Sequence, residues 1–348
     1  MMKRRDFLNV GALASVGAID ASIGLSSIRR ELPSVREKVK FCVFADIHYR
    51  PGRFPNSTKE WLDRILIRAK QENCDFVIHC GDMCHNPPKV KDYIDHYNNF
   101  ELPTYHVLGN HETDECTYED VLKIFDIEKG YYFFDCKGFR FIVADTNYYY
   151  RKSSKEYVHF GSDVVKMSSD EWGCIPDEQY KWIENIIDES AHPCVVLSHL
   201  SFERGIGSKR IQEIFARANR KKPGKVRMAI NGHFHCDFLR ILEDVVYFDV
   251  NSASYQWIGG KRAHKLYPVS YLKKVGIVDT SRKVSWVAYN DPLCAIVTLS
   301  LDGELRIDGM KSSFACGITP DRVKMRVDNH SRAVTSSIQS ANMKFYYR

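Results

Sequence analysis

Five apolar runs in this chain end in the same kinds of residue, and that repetition limits the folds open to it. VKFCVFA (39–45) is followed by Asp46-Ile47-His48, DFVIHC (75–80) by Gly81-Asp82, and TYHVL (104–108) by Gly109-Asn110-His111-Glu112. PCVVL (193–197) leads into Ser198-His199, and VRMAI (226–230) into Asn231-Gly232-His233-Phe234-His235. Short branched or aromatic runs closed by turn-forming residues read as buried strands. In an α/β sheet, ligand-binding groups gather outside the carboxyl ends of strands, so residues far apart in the chain can meet at one site. In extended backbone His233 and His235 project to one side, which lets both imidazoles face a single pocket.

Amphipathic stretches separate the runs. WLDRILIRAKQEN (61–73), KVKDYIDHYNNF (89–100), YEDVLKIFDI (118–127), DEQYKWIENIIDE (177–189) and RIQEIFARA (210–218) carry helical periodicity. YYFFD and FRFIVAD (131–135, 139–145) flank Cys-Lys-Gly as a hairpin. After Asp237 strands follow one another: FLRIL, VVYFDV, VGIVDT, and a hairpin AIVTLSLDGELRIDG turning at Asp302-Gly303. This order predicts an α/β fold, a four-layer αββα sandwich of two mixed β-sheets flanked by helices, spanning 38–310. Residues 311–348, rich in Ser, Arg and Asn, read as a poorly ordered extension.

The net charge of +6 is shared between a leader and a nearly balanced remainder. Residues 1–30 hold Lys3, Arg4, Arg5, Arg29 and Arg30 against Asp6 and Asp20, so half of the excess lies there. What is left has no long basic stripe, which argues against a stable nucleic-acid complex. Arg4-Arg5-Asp6-Phe7-Leu8, then a weakly apolar stretch and small residues, is similar to a twin-arginine export signal. It predicts a periplasmic protein with no membrane span once the signal is removed. Eleven scattered cysteines, several inside apolar runs such as Cys42 and Cys194, read as packed free thiols.

Taken together, the ordered set Asp-x-His, Gly-Asp, Gly-Asn-His-Glu, His, Gly-His-x-His over roughly 40–250 resembles the calcineurin-like metallophosphoesterases. The resemblance implies a dinuclear centre in which Asp46, His48, Asp82 and His235 hold one metal. Asp82, Asn110, His199 and His233 hold the other, with Asp82 bridging. Carboxylate, amide and imidazole donors without thiolate suit Mn, Fe or Zn. Such ions, about 3.5–4 Å apart, polarise P–O bonds and supply a hydroxide that attacks phosphorus. The implied activity is hydrolysis of a small phosphoester. The Gly-Asn-His-Glu motif, similar to that of the cyclic-nucleotide and glycerophosphodiester branch, favours diesters. A phosphomonoesterase, a nuclease, or a non-catalytic metal-stabilised interaction protein are the alternatives.

Under the same resemblance His111 protonates or stabilises the leaving oxygen, beside Asp82 as the other catalytic residue. Glu112 either orients His111 or faces solvent. His85 occupies the position where purple acid phosphatases carry tyrosine, and reads as a supporting residue. Tyr255, Trp257, Lys261, Arg262, His264 and YYYRK (148–152) read as substrate-facing segments.

Overall fold

The first strand shows how the layers arise. In β1 (Lys38–Phe44) successive side chains point to opposite faces. Val39, Phe41 and Val43 enter one apolar cluster, and Cys42 and Phe44 enter another. The second cluster receives Leu62, Ile65, Leu66 and Ala69, the apolar stripe of α1 (Glu60–Gln71). It also takes in Tyr93, Ile94 and Tyr97 of α2 (Lys91–Asn98) and Val121 and Phe125 of α3 (Tyr118–Phe125).

β1 pairs in parallel with β2 (Phe76–Cys80), and β2 with β3 (Thr104–Val107). The second sheet contains β4 (Tyr132–Cys136), β5 (Phe139–Val143), β9 (Cys194–Ser198) and β10 (Val226–Asn231), together with β11 (Phe238–Leu242) and β12 (Val245–Asp249). Between β5 and β9 the chain forms β6 (Tyr148–Arg151), β7 (Glu156–His159), β8 (Glu171–Cys174) and α4 (Asp177–Glu189), and α5 (Ser208–Lys221) precedes β10. The inner faces of both sheets meet in one cluster, where Phe41, Val43 and Ile78 share space with Phe141, Val143, Leu197, Met228 and Ile230. Outside the second sheet, Tyr180, Ile183 and Ile187 of α4 join Ile211, Ile214 and Phe215 of α5 over Ile142, Val196 and Ala229. The four-layer αββα architecture predicted from the run order is the one found.

Later residues add β13 (Tyr255–Trp257), α6 (Val269–Lys274) and β14 (Trp286–Ala288). Then β15 (Ala295–Ser300) and β16 (Glu304–Gly309) extend the first sheet, and β17 (Ala341–Lys344) closes its edge. β17 corrects the expectation of a poorly ordered extension. It pairs antiparallel with β16, and Ile338 before it is fully buried. Four residues with only Ala341 and Met343 turned towards the core give too short an apolar signal to show against their polar neighbours. The small sheet β7-β6-β8 also escaped the sequence reading.

The structure is a computed structural model describing residues 38–52, 59–164, 171–205, 207–258, 265–274, 284–323 and 334–346. The leader and its expected export signal, Lys261, Arg262, His264 and the VGIVDT strand lie outside the described residues. Among the described residues no helix is long and apolar enough to cross a membrane. All eleven cysteines are free, and no thiol belongs to a group of potential metal donors among the described residues.

Candidate metal centre

The five motif-bearing strands are β1, β2 and β3 of one sheet and β9 and β10 of the other, and their carboxyl ends converge. Each chain must turn sharply as it leaves its strand. Asp46, His48, Asp82, His233 and His235 all have left-handed backbone, with φ of 53°, 51°, 52°, 71° and 47°. Aspartate and histidine tolerate this conformation better than branched residues, but it remains sparsely populated. Bonds between loops hold it: Asp46 N–H donates to Gly81 O (3.0 Å), His48 N–H to Asp82 O (2.9 Å) and Gly232 N–H to His199 O (3.1 Å).

Two of the motif glycines have a steric reason. A Cβ on Gly109 would collide with the Asp82 carboxylate, and one on Gly232 would lie 2.6 Å from Asp46 Oδ2 and 2.7 Å from Ala45 Cβ. The loops can approach the carboxylates this closely only without side chains there.

Every predicted ligand reaches this place. Asp46, His48 and His235 offer donor atoms lying within 4.8 Å of one another, and so do Asp82, His199 and His233. Asn110 Oδ1 lies 3.2 Å from His199 Nε2. His48 Nε2 faces His235 Nε2 at 3.1 Å, and His233 Nδ1 faces His199 Nε2 at 3.2 Å. Asp82 Oδ2 lies between the groups, 3.7 Å from His48 Nε2 and 3.2 Å from His199 Nε2.

The imidazoles are oriented from behind. His199 Nδ1–H donates to Cys80 O (2.8 Å) and His235 Nδ1–H to Tyr255 O (2.9 Å), which leaves each Nε2 aimed inward. His48 Nδ1 meets His85 Nε2 at 3.2 Å, and His85 Nδ1 lies 3.3 Å from Asp114 Oδ2. With Asp114 taking the His85 proton, His85 Nε2 accepts from His48, and His48 Nε2 also turns its lone pair inward. The inward nitrogens of these histidines, with two carboxylates and an amide oxygen, form a donor set that fits divalent ions once His199 gives up its proton.

His111 occupies the open side, its side chain 37% exposed, with Nε2 4.0 Å from Asp82 Oδ2. Its Nδ1–H donates to Asp114 Oδ2 at 2.6 Å. Glu112 neither orients His111 nor faces solvent: fully buried, its carboxylate accepts from the backbone N–H of Gly109 (2.9 Å), Asp82 (3.3 Å) and Met83 (2.5 Å). Tyr255 is likewise buried rather than substrate-facing, its ring 5.1 Å from His48 and 4.6 Å from His235. Asp114 is the functional residue that sequence reasoning passed over. Its only signal was a carboxylate three residues after the histidine, on a turn.

The charges interlock. Burial works against ionising Asp82, but His199 and His111 outweigh it and hold the carboxyl well below the usual carboxylate range. Burial opposes protonation of His199, yet Asp82 pushes its pKa up to about 10. His111 is raised to about 9, with burial again opposed by Asp82 and Asp114. His233 goes the other way, to about 3, through burial and repulsion from His199.

Known proteins place this arrangement. A dimetal phosphatase from Danio rerio has a TM-score of 0.50 at 13% identity, covering 79% of this chain and 98% of that one. GAP50, the anchor in the inner membrane complex of Plasmodium, gives 0.49 at 12%, covering 90% of each chain. A putative 5′-nucleotidase from Staphylococcus aureus gives 0.44 at 14%, covering 81% of this chain and 55% of its own. At 13% identity the likeness to the Danio rerio phosphatase is one of fold. No curated protein matches the chain in sequence. The profile for calcineurin-like phosphoesterases matches residues 39–237, more than half of the 348. The chain belongs to the calcineurin-like phosphoesterase family.

Proposed function

We propose that the protein is a dinuclear metal-dependent phosphoesterase acting on small phosphoesters, with diesters favoured. The observation that carries the proposal is the position of Asp82, whose one carboxylate oxygen reaches donors of both groups. In this reading Asp46, His48 and His235 hold one divalent ion, Asn110, His199 and His233 the other, and Asp82 stands between them. Ions bound there polarise the P–O bonds and bring the pKa of water towards neutrality.

The chain's own residues do the remaining work. The backing hydrogen bonds fix the imidazoles of His48, His199 and His235, so little reorganisation of these three accompanies catalysis. His111 Nδ1 is committed to Asp114, which leaves Nε2–H as the proton donor to the departing ester oxygen. The preference for diesters rests on the Gly109-Asn110-His111-Glu112 motif.

The test is a paired initial-rate assay on Mn²⁺-reconstituted protein with bis-p-nitrophenyl phosphate and p-nitrophenyl phosphate, using Asp82→Ala as background. Asp82→Ala should lose metal and activity together, and the diester should be cut faster. Wild-type rates in that variant would remove the proposal, and a faster monoester would make the enzyme a phosphatase.

A further inference from the structure

The small sheet β7-β6-β8 carries an aromatic group to the rim of the metal centre. Tyr149 in β6 and Trp172 in β8 are register partners. Phe160 stacks on Tyr149 at 4.0 Å between ring centroids and lies 6.0 Å from the Trp172 ring. So supported, Trp172 stands 5.3 Å from the His233 ring at an interplanar angle of 69°. It nevertheless remains 43% exposed, less than Trp257 at 49% but more than Trp61, Trp182 and Trp286, and it is the nearness to His233 that sets it apart.

A large indole facing water costs free energy that burial would recover, and its flat face suits another ring. The flanking charges, Lys152 and Glu171, pair with each other at 2.7 Å. The YYYRK segment, singled out in the sequence as substrate-facing, serves the aromatic group at the rim through Tyr149, which is buried behind it.

We infer that Trp172 is the specificity-determining platform on which a flat aromatic part of the phosphoester stacks, so that the substrate class is nucleotide-like. The inference rests on the phosphoesterase reading for where the phosphate binds. Stacking tolerates any base, so the platform selects for the presence of a ring over its identity.

Adenosine 5′-monophosphate and ribose 5-phosphate share sugar and phosphate and differ only in the base, so their ratio isolates the stacking contribution. The Mn²⁺-loaded wild type should favour the nucleotide by about ten- to a hundredfold, the range for one stacked base. Trp172→Ala should bring the two compounds to near equality, and Trp172→Phe should restore most of the preference. The ratio is read as kcat/KM where the esters are cut and as Kd by calorimetry where they are only bound. Binding of these monoesters without cleavage is what a strict diesterase would give and still decides the platform, and the phosphoesterase reading stands or falls on the separate diester assay. No wild-type preference, a preference surviving in Trp172→Ala, or equal weakening of both compounds would overturn the inference.

Discussion

Replacing Asp114 by asparagine tests the proposed leaving-group protonation, provided metal occupancy is held fixed, because Asp114 also backs His85 and through it the ligand His48. Asp114 accepts from His111 Nδ1 at 2.6 Å, and both side chains are partly exposed, 38% and 37%. An asparagine side chain there would still accept a hydrogen bond, but one of roughly half the strength without the charge. An opposite charge at this distance moves a pKa by about 1–3 units, and exposure puts this pair near the lower end. In the proposed mechanism protonated His111 is the acid, so activity on esters that need it should fall as pH rises through its pKa. Asp114 raises that pKa, and removing its charge moves the alkaline limb to lower pH by about one unit. Above the shifted limb this amounts to about a tenfold loss of kcat on alkyl phosphoesters. p-Nitrophenolate departs without a proton, so p-nitrophenyl esters should lose less than about threefold. Bound cations lower the absolute pKa in both proteins and leave the sign of the difference unchanged. The assay is a pH–rate profile for an alkyl and a p-nitrophenyl ester on both proteins at fixed metal occupancy. Equal losses on the two esters, or an unmoved alkaline limb, would refute the assignment of Asp114 to His111.

Two other outcomes follow from the site. In the metal-free protein His199 is protonated near neutral pH, because Asp82 raises it to about 10 against the opposing effect of burial. Its Nε2 must shed that proton to become a ligand, so metal affinity should rise about tenfold per pH unit below that value. Calorimetry at pH 7.5 in buffers of different ionisation enthalpy should find at least one proton released per chain, and none released would contradict the assignment. Gly109→Ala puts a methyl group against the Asp82 carboxylate. It should weaken metal binding by about ten- to a hundredfold in competition with a chromogenic chelator, and unchanged affinity would show that the loop yields freely.

The parts of this protein that were legible in its sequence share one property: their signal is local. β1, β2, β3, β9 and β10 are buried on both faces, so they read as near-continuous apolar runs, and their polar terminators stand out against them. What stayed hidden depends on contacts between segments. Glu112 sits beside His111 in sequence, yet the turn sends its carboxylate backwards to three backbone donors. Tyr255 looks like a substrate-facing aromatic until β13 places it behind His48 and His235. β17 has no pattern of its own and exists because β16 offers an unpaired edge.

The left-handed turns place a backbone constraint on the motif positions in addition to their ligand chemistry. Five of the seven proposed ligands sit where the backbone is sparsely populated, at a cost of order 1–3 kcal/mol each in general and less for aspartate and histidine. That cost is offset by contacts using no ligand atom. Besides the interloop backbone bonds, the Ser252 and Ser254 hydroxyls both donate to the Asp46 carbonyl, at 2.8 and 3.1 Å. Gln256 Nε2–H donates to the His235 carbonyl at 2.5 Å while its Oε1 accepts from Thr335 N–H at 3.4 Å. The C-terminal segment is thereby wired into the histidine turn, although nothing in its composition suggests a part in the site. A substitution of Gln256 or a truncation before Thr335 acts on His235 through its backbone, leaving every ligand side chain in the sequence intact.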